Sequence, residues 1–177
     1  DLSDNNPNNW EVANDDYPLY SAKDSTGTIA QSISGGIAIG FDAEFNPWLY
    51  FGTGRYLTAG DPSTTSVQTW YGIIDESTDA TIAGRGALKM RKIVAAGELA
   101  GVKVRAFEPQ EFPSGVSDMN GKKGWYIDLV NPPFTAAQKI GERIVGTPVV
   151  RGTTVLVSSI IPSEDACTIE GDRKSVV

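Results

Sequence analysis

From residue 29 onward, short runs of Ile, Val, Tyr, Phe and Trp recur between clusters of Gly, Pro, Asp and Thr. Runs this brief are too short for stable helices. Their β-branched and aromatic side chains suit a pleated surface, and the residues between them favour turns. The pattern predicts strands over 29–41, 48–56, 68–75, 89–94, 102–107, 125–129, 144–150 and 155–161. The expected fold class is all-β. Residues 1–16 read as an exposed inter-strand turn region, because Asn, Asp and Pro crowd there and bond their own backbone in preference to a ladder. Residues 87–99 carry Met90, Ile93 and Val94 at helical spacing as well as an alternation from Leu88 to Val94, and the strand reading is preferred. Residues 134–144 place Phe134, Ala137, Ile140 and Ile144 at near-helical spacing after Pro132-Pro133, which predicts a short surface helix. Long connections are expected near 80–86, 109–124 and 131–140, where large apolar side chains are few.

Composition excludes several chemistries. The chain of 177 residues has no histidine, which removes the commonest general base near neutral pH and the commonest transition-metal ligand. Cys167 is the one cysteine, so neither an intrachain disulfide nor a cysteine metal cluster can form. A net charge of −7 repels phosphate backbones and anionic lipid, so nucleic acid is not an expected partner. Apolar runs fall far short of the roughly 20 residues that span a bilayer, so no membrane span is expected. The chain opens on Asp1 rather than Met, with no charged-then-apolar targeting pattern, and is read as a portion of a longer protein.

Few constellations rise above their structural reading. Phe51-Gly52-Thr53-Gly54-Arg55 contains a Gly-x-Gly, yet it lacks a third glycine and continues as strand rather than opening a helix. A phosphate cradle needs that helix, so Gly52 and Gly54 are read as allowing close backbone approach or a bulge. Asp4, Asn6, Asn8, Trp10, Val12 and Asp15 fall at EF-hand spacing, but Asn9 replaces the glycine and Asp15 the bidentate Glu, so a self-bonded turn is preferred to calcium. Asp75, Glu76 and Asp79 are sequence neighbours at a turn and are read as solvated rather than catalytic. Arg55, Arg143 and Arg151 suit ion pairs between blades as well as carboxylate binding. Trp70 and Trp125 lie within apolar strands and are expected in the core. Trp10 and Trp48 lie beside Asn-Pro turns; packing of a blade edge is the preferred reading for each, and they are also the candidate exposed binding aromatics, able to stack on sugars or anchor a partner. No catalytic, cofactor-binding or metal-ligating residue is assigned, and no enzymatic activity is expected.

Residues 34–54 and 145–159 each give two apolar strands joined by a turn, and Trp70-Tyr71-Gly72-Ile73 echoes Trp125-Tyr126-Ile127-Asp128. Small repeated antiparallel units with aromatic and glycine punctuation suggest propeller blades rather than a sandwich. The series Leu49-Tyr50-Phe51-Gly52-Thr53-Gly54-Arg55-Tyr56-Leu57, then Asp61, then Gln68-Thr69-Trp70-Tyr71-Gly72-Ile73-Ile74-Asp75 resembles the C-terminal β-propeller of the PilY family of type IV pilus-tip adhesins and assembly factors. Gly124-Trp125-Tyr126-Ile127-Asp128-Leu129, Gly141-Glu142-Arg143-Ile144-Val145, Pro148, Val150-Arg151-Gly152 and Ile161-Pro162 resemble the same family in the same order. The likeness spans almost the whole chain. After Cys167, where the family shows a glycine pair and a tryptophan, this sequence reads Thr168-Ile169-Glu170-Gly171-Asp172-Arg173.

The resemblance implies that residues 1–177 form about two blades of a larger β-propeller. It implies a non-enzymatic component of a type IV pilus tip, acting in pilus assembly and adhesion, with a calcium loop upstream of Asp1 rather than within the segment. The partners it implies are the rest of the propeller chain, minor pilins or other tip proteins, and a host or abiotic surface. The location it implies is extracellular, at the pilus tip or outer surface of a Gram-negative bacterium. Two rivals stand beside it: a quinone-dependent propeller dehydrogenase, whose repeated docking pattern is missing here, and a lectin-like propeller. Two blades alone leave sheet edges and apolar faces uncovered. Residues 1–177 expressed without their remainder are therefore expected to aggregate or unfold in part, and a sharp melting transition from a soluble monomer would contradict this.

Overall fold

The computed structural model describes residues 5–9, 17–76, 80–108, 119–162 and 172–176. Among the described residues the architecture is all-β, with short 3-10 turns at Pro7–Asn9, Arg85–Ala87 and Ala136–Gln138. Strands β1 (Ala38–Phe41), β2 (Pro47–Gly52) and β3 (Thr69–Ile74) form an antiparallel meander, and β7 (Gly124–Asp128) pairs antiparallel with β3. These four strands make one blade-sized sheet. The excursion between β3 and β7 returns β4 (Lys89–Arg91) to the outer edge of the same sheet, parallel to β7. It also carries a separate ribbon of β5 (Ile93–Leu99) and β6 (Val102–Phe107). A second meander, β8 (Val149–Arg151), β9 (Thr154–Ile161) and β10 (Asp172–Val176), forms a three-stranded sheet ordered β10-β9-β8.

Strand β3 is buried at all six positions because it lies inside the first sheet and both faces are covered. On one face Trp70 and Ile127 meet Ile93, Leu129, Ile144 and Val157, which seals the two sheets together. Trp70 packs edge-on against the half-buried Trp125 at 5.1 Å. On the other face Phe51, Tyr71 and Ile73 are covered by Ala22, Ile82 and Leu88. That cover stops short of β1, where Ile39 and Phe41 stand exposed, as does Ile37 just before it.

Three expectations need correction. The strand expected over 29–41 ladders only at Ala38–Phe41, with single bridges at Ala30 and Ile33. A Cβ at Gly35 would lie 2.5 Å from the Gly146 carbonyl oxygen, so the chain runs against the second sheet there instead of pairing within the first. The strand expected over 144–150 is confined to its end, because Arg143 bridges Ile160 and Ile144 instead donates to the Thr53 carbonyl. The surface helix expected over 134–144 shrinks to Ala136–Gln138. Phe134 and Ala137 are exposed, so their spacing buries no face that could sustain a short helix.

Of the three long connections, 80–86 is not free, because Ile82 is buried and Arg85 reaches into a polar network. Residues 109–118 lie outside the described residues. The connection 131–140 exposes Pro133, Phe134, Thr135, Ala136, Ala137 and Lys139.

Candidate functional site

The segment Gly141-Glu142-Arg143-Ile144 threads between the two sheets and is buried throughout. Ile144 fits over Gly52, where a Cβ would come within 2.2 Å of its side chain, and Arg143 passes over Gly54, where a Cβ would come within 2.4 Å. Gly54 also has φ +127°, a region that favours glycine. The two glycines of the Gly-x-Gly thus receive a crossing chain, as the close-approach reading expects.

Once past Gly54, the Arg143 guanidinium hydrogen-bonds, among the described residues, to backbone and hydroxyl oxygens. It donates to the carbonyls of Gly141 at 2.8 Å, Arg55 at 2.8 Å, Asp61 at 3.0 Å and Thr64 at 2.7 Å, and to the Thr64 hydroxyl at 3.1 Å. Asp61 organises the same loop from within. Its carboxylate accepts from the backbone N–H of Leu57 at 2.9 Å and Thr58 at 2.8 Å, and from Arg55 Nε at 2.8 Å. The Leu57 and Thr58 amides, with help from Arg55, hold the Asp61 carboxyl well below the usual carboxylate range. A depressed folded-state pKa contributes stability that is present above the unfolded value near ~3.9 and is lost as pH falls through the folded value. The melting temperature of the full-length protein should therefore fall on acidification below about pH 4. Asp61→Asn should melt lower at neutral pH and respond less to that acidification; equal acid sensitivity in both would show that Asp61 is not the responsible group.

Glu142 points the other way. Its Oε1 accepts from Arg105 Nη1 at 2.7 Å and from the Ser159 hydroxyl at 2.5 Å, and its Oε2 pairs with Arg105 Nη2. Both ends of this ion pair are removed from solvent, and it ties the β5–β6 ribbon to the second sheet. A third arginine works at the first sheet. Arg85 donates to Asp128 Oδ2 at 3.0 Å, Thr69 Oγ1 at 2.7 Å and the Lys23 carbonyl at 2.8 Å, and lies over the Tyr126 ring at 4.7 Å. Thr69 passes the network on to Asp128 and Gln31, and Gln31 to Tyr71.

Trp48, a candidate exposed aromatic, is 5% exposed, in keeping with the packing reading. Its indole N–H donates to Asp42 at 3.1 Å and its ring stacks on Tyr50, so the turn beside it folds over the ring rather than presenting it. Trp10 lies outside the described residues, as do Asp4, Val12, Asp15 and Asp79. Asn6 accepts from the Asn8 backbone N–H, the local bonding expected of an Asn-rich turn. Glu76 pairs with Lys123, Arg55 with Asp61, and Arg151 is exposed. Among the described residues, no group of three or more metal-ligating side chains gathers. Sequence reading missed the roles of Arg85, Arg105 and Asp128, whose partners are 43 residues apart in the first network and 37 in the second.

Residues 8–96 match the family described as the PilY1 beta-propeller domain, which covers half of the chain. The chain belongs to that family. Among PilY1 relatives, a type IV pilus biogenesis factor PilY1 homolog of Xylella fastidiosa is 37% identical over 125 residues, which is 70% of this chain and 9% of that protein. A second homolog from the same organism is 33% identical over 91% of this chain and 11% of its own length. The PilY1 of Pseudomonas aeruginosa is 28% identical over 85% of this chain and 14% of its own length. The crystal structure of the Pseudomonas aeruginosa PilY1 C-terminal domain superposes with a TM-score of 0.64 at 27% identity, over 82% of this chain and 32% of that one. The chain thus spans about a tenth of the curated PilY1 relatives it matches, and its two sheets are a fragment of a PilY1 β-propeller.

Proposed function

We propose that this segment is a non-catalytic scaffold within a PilY1-type protein of the type IV pilus tip, supporting pilus assembly and surface adhesion, with recognition carried by exposed loops. One observation carries the reading: the buried charged groups Arg143, Asp61, Arg105 and Glu142 spend their hydrogen bonds on loop backbone and on one another, which leaves them committed to the fold. A rigid sheet whose buried charges are tied to one another and to the loop backbone can vary its loops without disturbing the core. The connection 131–140 exposes Phe134 beside Thr135 and Lys139 and is the described loop that this reading assigns to contact. The location is extracellular, at the tip or outer surface of a Gram-negative cell. The contacts are with the rest of the propeller, minor pilins or other tip proteins, and a host or abiotic surface. Calcium, if the full protein uses it, belongs to a loop upstream of this segment. Deleting the parent gene should sharply reduce surface pili and attachment, and the full-length gene should restore both. Unchanged piliation and attachment in the deletion strain would refute the assignment.

A further inference from the structure

Cross-strand partners in the first sheet place one row of side chains on the face that carries Trp70 and Ile127: Ala38 opposite Tyr50, Tyr50 opposite Gly72, Gly72 opposite Trp125 and Trp125 opposite Lys89. Small residues alternate with rings along it. The Trp125 indole lies over Gly72, where a Cβ would come within 2.6 Å of it. The Tyr50 ring reaches Gly40, where a Cβ would lie 3.2 Å from both that ring and Val150 of the second sheet. The two rings stand 6.3 Å apart at 40°. Tyr50, Trp125, Val150 and Val155 are all half-buried, whereas Trp70, Ile127 and Val157 deeper in the same seam are buried. The seam between the two sheets therefore opens at this end into a cleft floored by rings, and both of its sides are built from this segment's own residues.

Charge collects at the rim of that cleft. Lys89 and Arg91 alternate along β4 and so share its face, and the Arg91 guanidinium carbon lies 5.7 Å from the Trp125 ring centroid. Arg85, Arg105 and Arg143 each donate to a carboxylate or a carbonyl. Arg91 is different: Glu108 acts on it through charge, but no acceptor among the described residues is hydrogen-bonded to it, and its Nε is closed to solvent without a partner. A buried donor without an acceptor is costly, and a ligand oxygen placed there relieves the cost. The ligand must therefore offer an apolar face to the rings and an anionic oxygen pair to the planar guanidinium. A pyranose that carries a carboxylate has both. An extended peptide fits less well, because the floor is the face of a sheet, whose backbone groups are spent in ladders, and not its edge. We propose that the cleft at Tyr50 and Trp125 binds a carboxylated sugar of the uronic acid class, with Arg91 pairing with the carboxylate. The proposal rests on the adhesion part of the proposed function and adds a glycan contact to that of the 131–140 connection.

Saturation-transfer NMR and tryptophan-fluorescence titration of the full-length protein with methyl β-glucuronide, methyl β-glucoside and a blocked triglutamate peptide test it. The glucuronide should bind, with saturation reaching its ring C–H protons, and about tenfold more tightly than the glucoside. Arg91→Gln should erase that preference, and Tyr50→Leu should weaken both sugars. The comparison of the three probes needs no variant, so it decides the matter even where a substitution lowers stability. Glucuronide binding that is absent, no tighter than that of the glucoside, unchanged in a folded Arg91→Gln variant, or weaker than that of the peptide would each overturn the proposal. Any of those outcomes leaves adhesion standing with another ligand, whereas a deletion strain that still attaches overturns the adhesion reading and leaves the sugar titration as measured.

Discussion

Replacing Arg105 with alanine is expected to lower the stability of the full-length protein by about 3–5 kcal/mol, the cost of stranding a buried charge. Among the described residues, Glu142 would then keep the Ser159 hydroxyl alone as a hydrogen-bond partner, in a position closed to water. A solvent-exposed pair would cost only about 0–1 kcal/mol, so the size of the loss discriminates between the two situations. Replacing both residues with leucine should recover much of the loss, because an apolar pair of similar volume is often neutral where half an ion pair is not. Thermal melts of the single and double variants check this directly. A loss under about 1 kcal/mol for Arg105→Ala would mean that water reaches Glu142.

Trp70→Ala is the second large effect, at about 3–5 kcal/mol. Trp70 lies on the central strand, is 5% exposed, and with Ile127 packs against Ile144 of the crossing segment and Val157 of the second sheet. Its removal leaves a cavity at the seam between sheets, where backbone on both sides is fixed by ladders and cannot collapse into the space. Trp125, half-buried on the same seam, should cost less when truncated. Soluble yield and melting temperature of the two variants give the order; equal tolerance of both would place the seam elsewhere. Against a native stability of about 5–15 kcal/mol, one such loss is enough to deplete the folded protein.

Much of this was legible in the sequence because the signals are local. Strand β3 reads as a strand from Thr69-Trp70-Tyr71-Gly72-Ile73-Ile74 alone, and the ribbon strand Val102–Phe107 falls where its alternation places it. Gly52 and Gly54 announce a close approach, although only the structure names Ile144 and Arg143 as the residues that approach. Trp48 shows where local reading stops. An Asn-Pro turn allows exposure beside it, but the fate of the ring depends on Asp42 and Tyr50 folding over it. Strand β10 was not expected, because Asp172-Arg173-Lys174-Ser175-Val176 lacks an apolar alternation and is held by its register against β9. The arginine networks were hidden for the same reason: Arg85 and Arg105 look like surface charge until the topology brings Asp128 and Glu142 beside them.

The division of labour between a rigid β scaffold and an exposed recognition loop is tested most directly by replacing residues 133–138 with a Gly-Ser linker in the full-length protein and measuring melting temperature beside adhesion and piliation. The account predicts a melting temperature close to the parent's together with altered adhesion or piliation, while Trp70→Ala loses folded protein. A linker variant that unfolds while Trp70→Ala is tolerated, or one that folds with adhesion and piliation both unchanged, would contradict it.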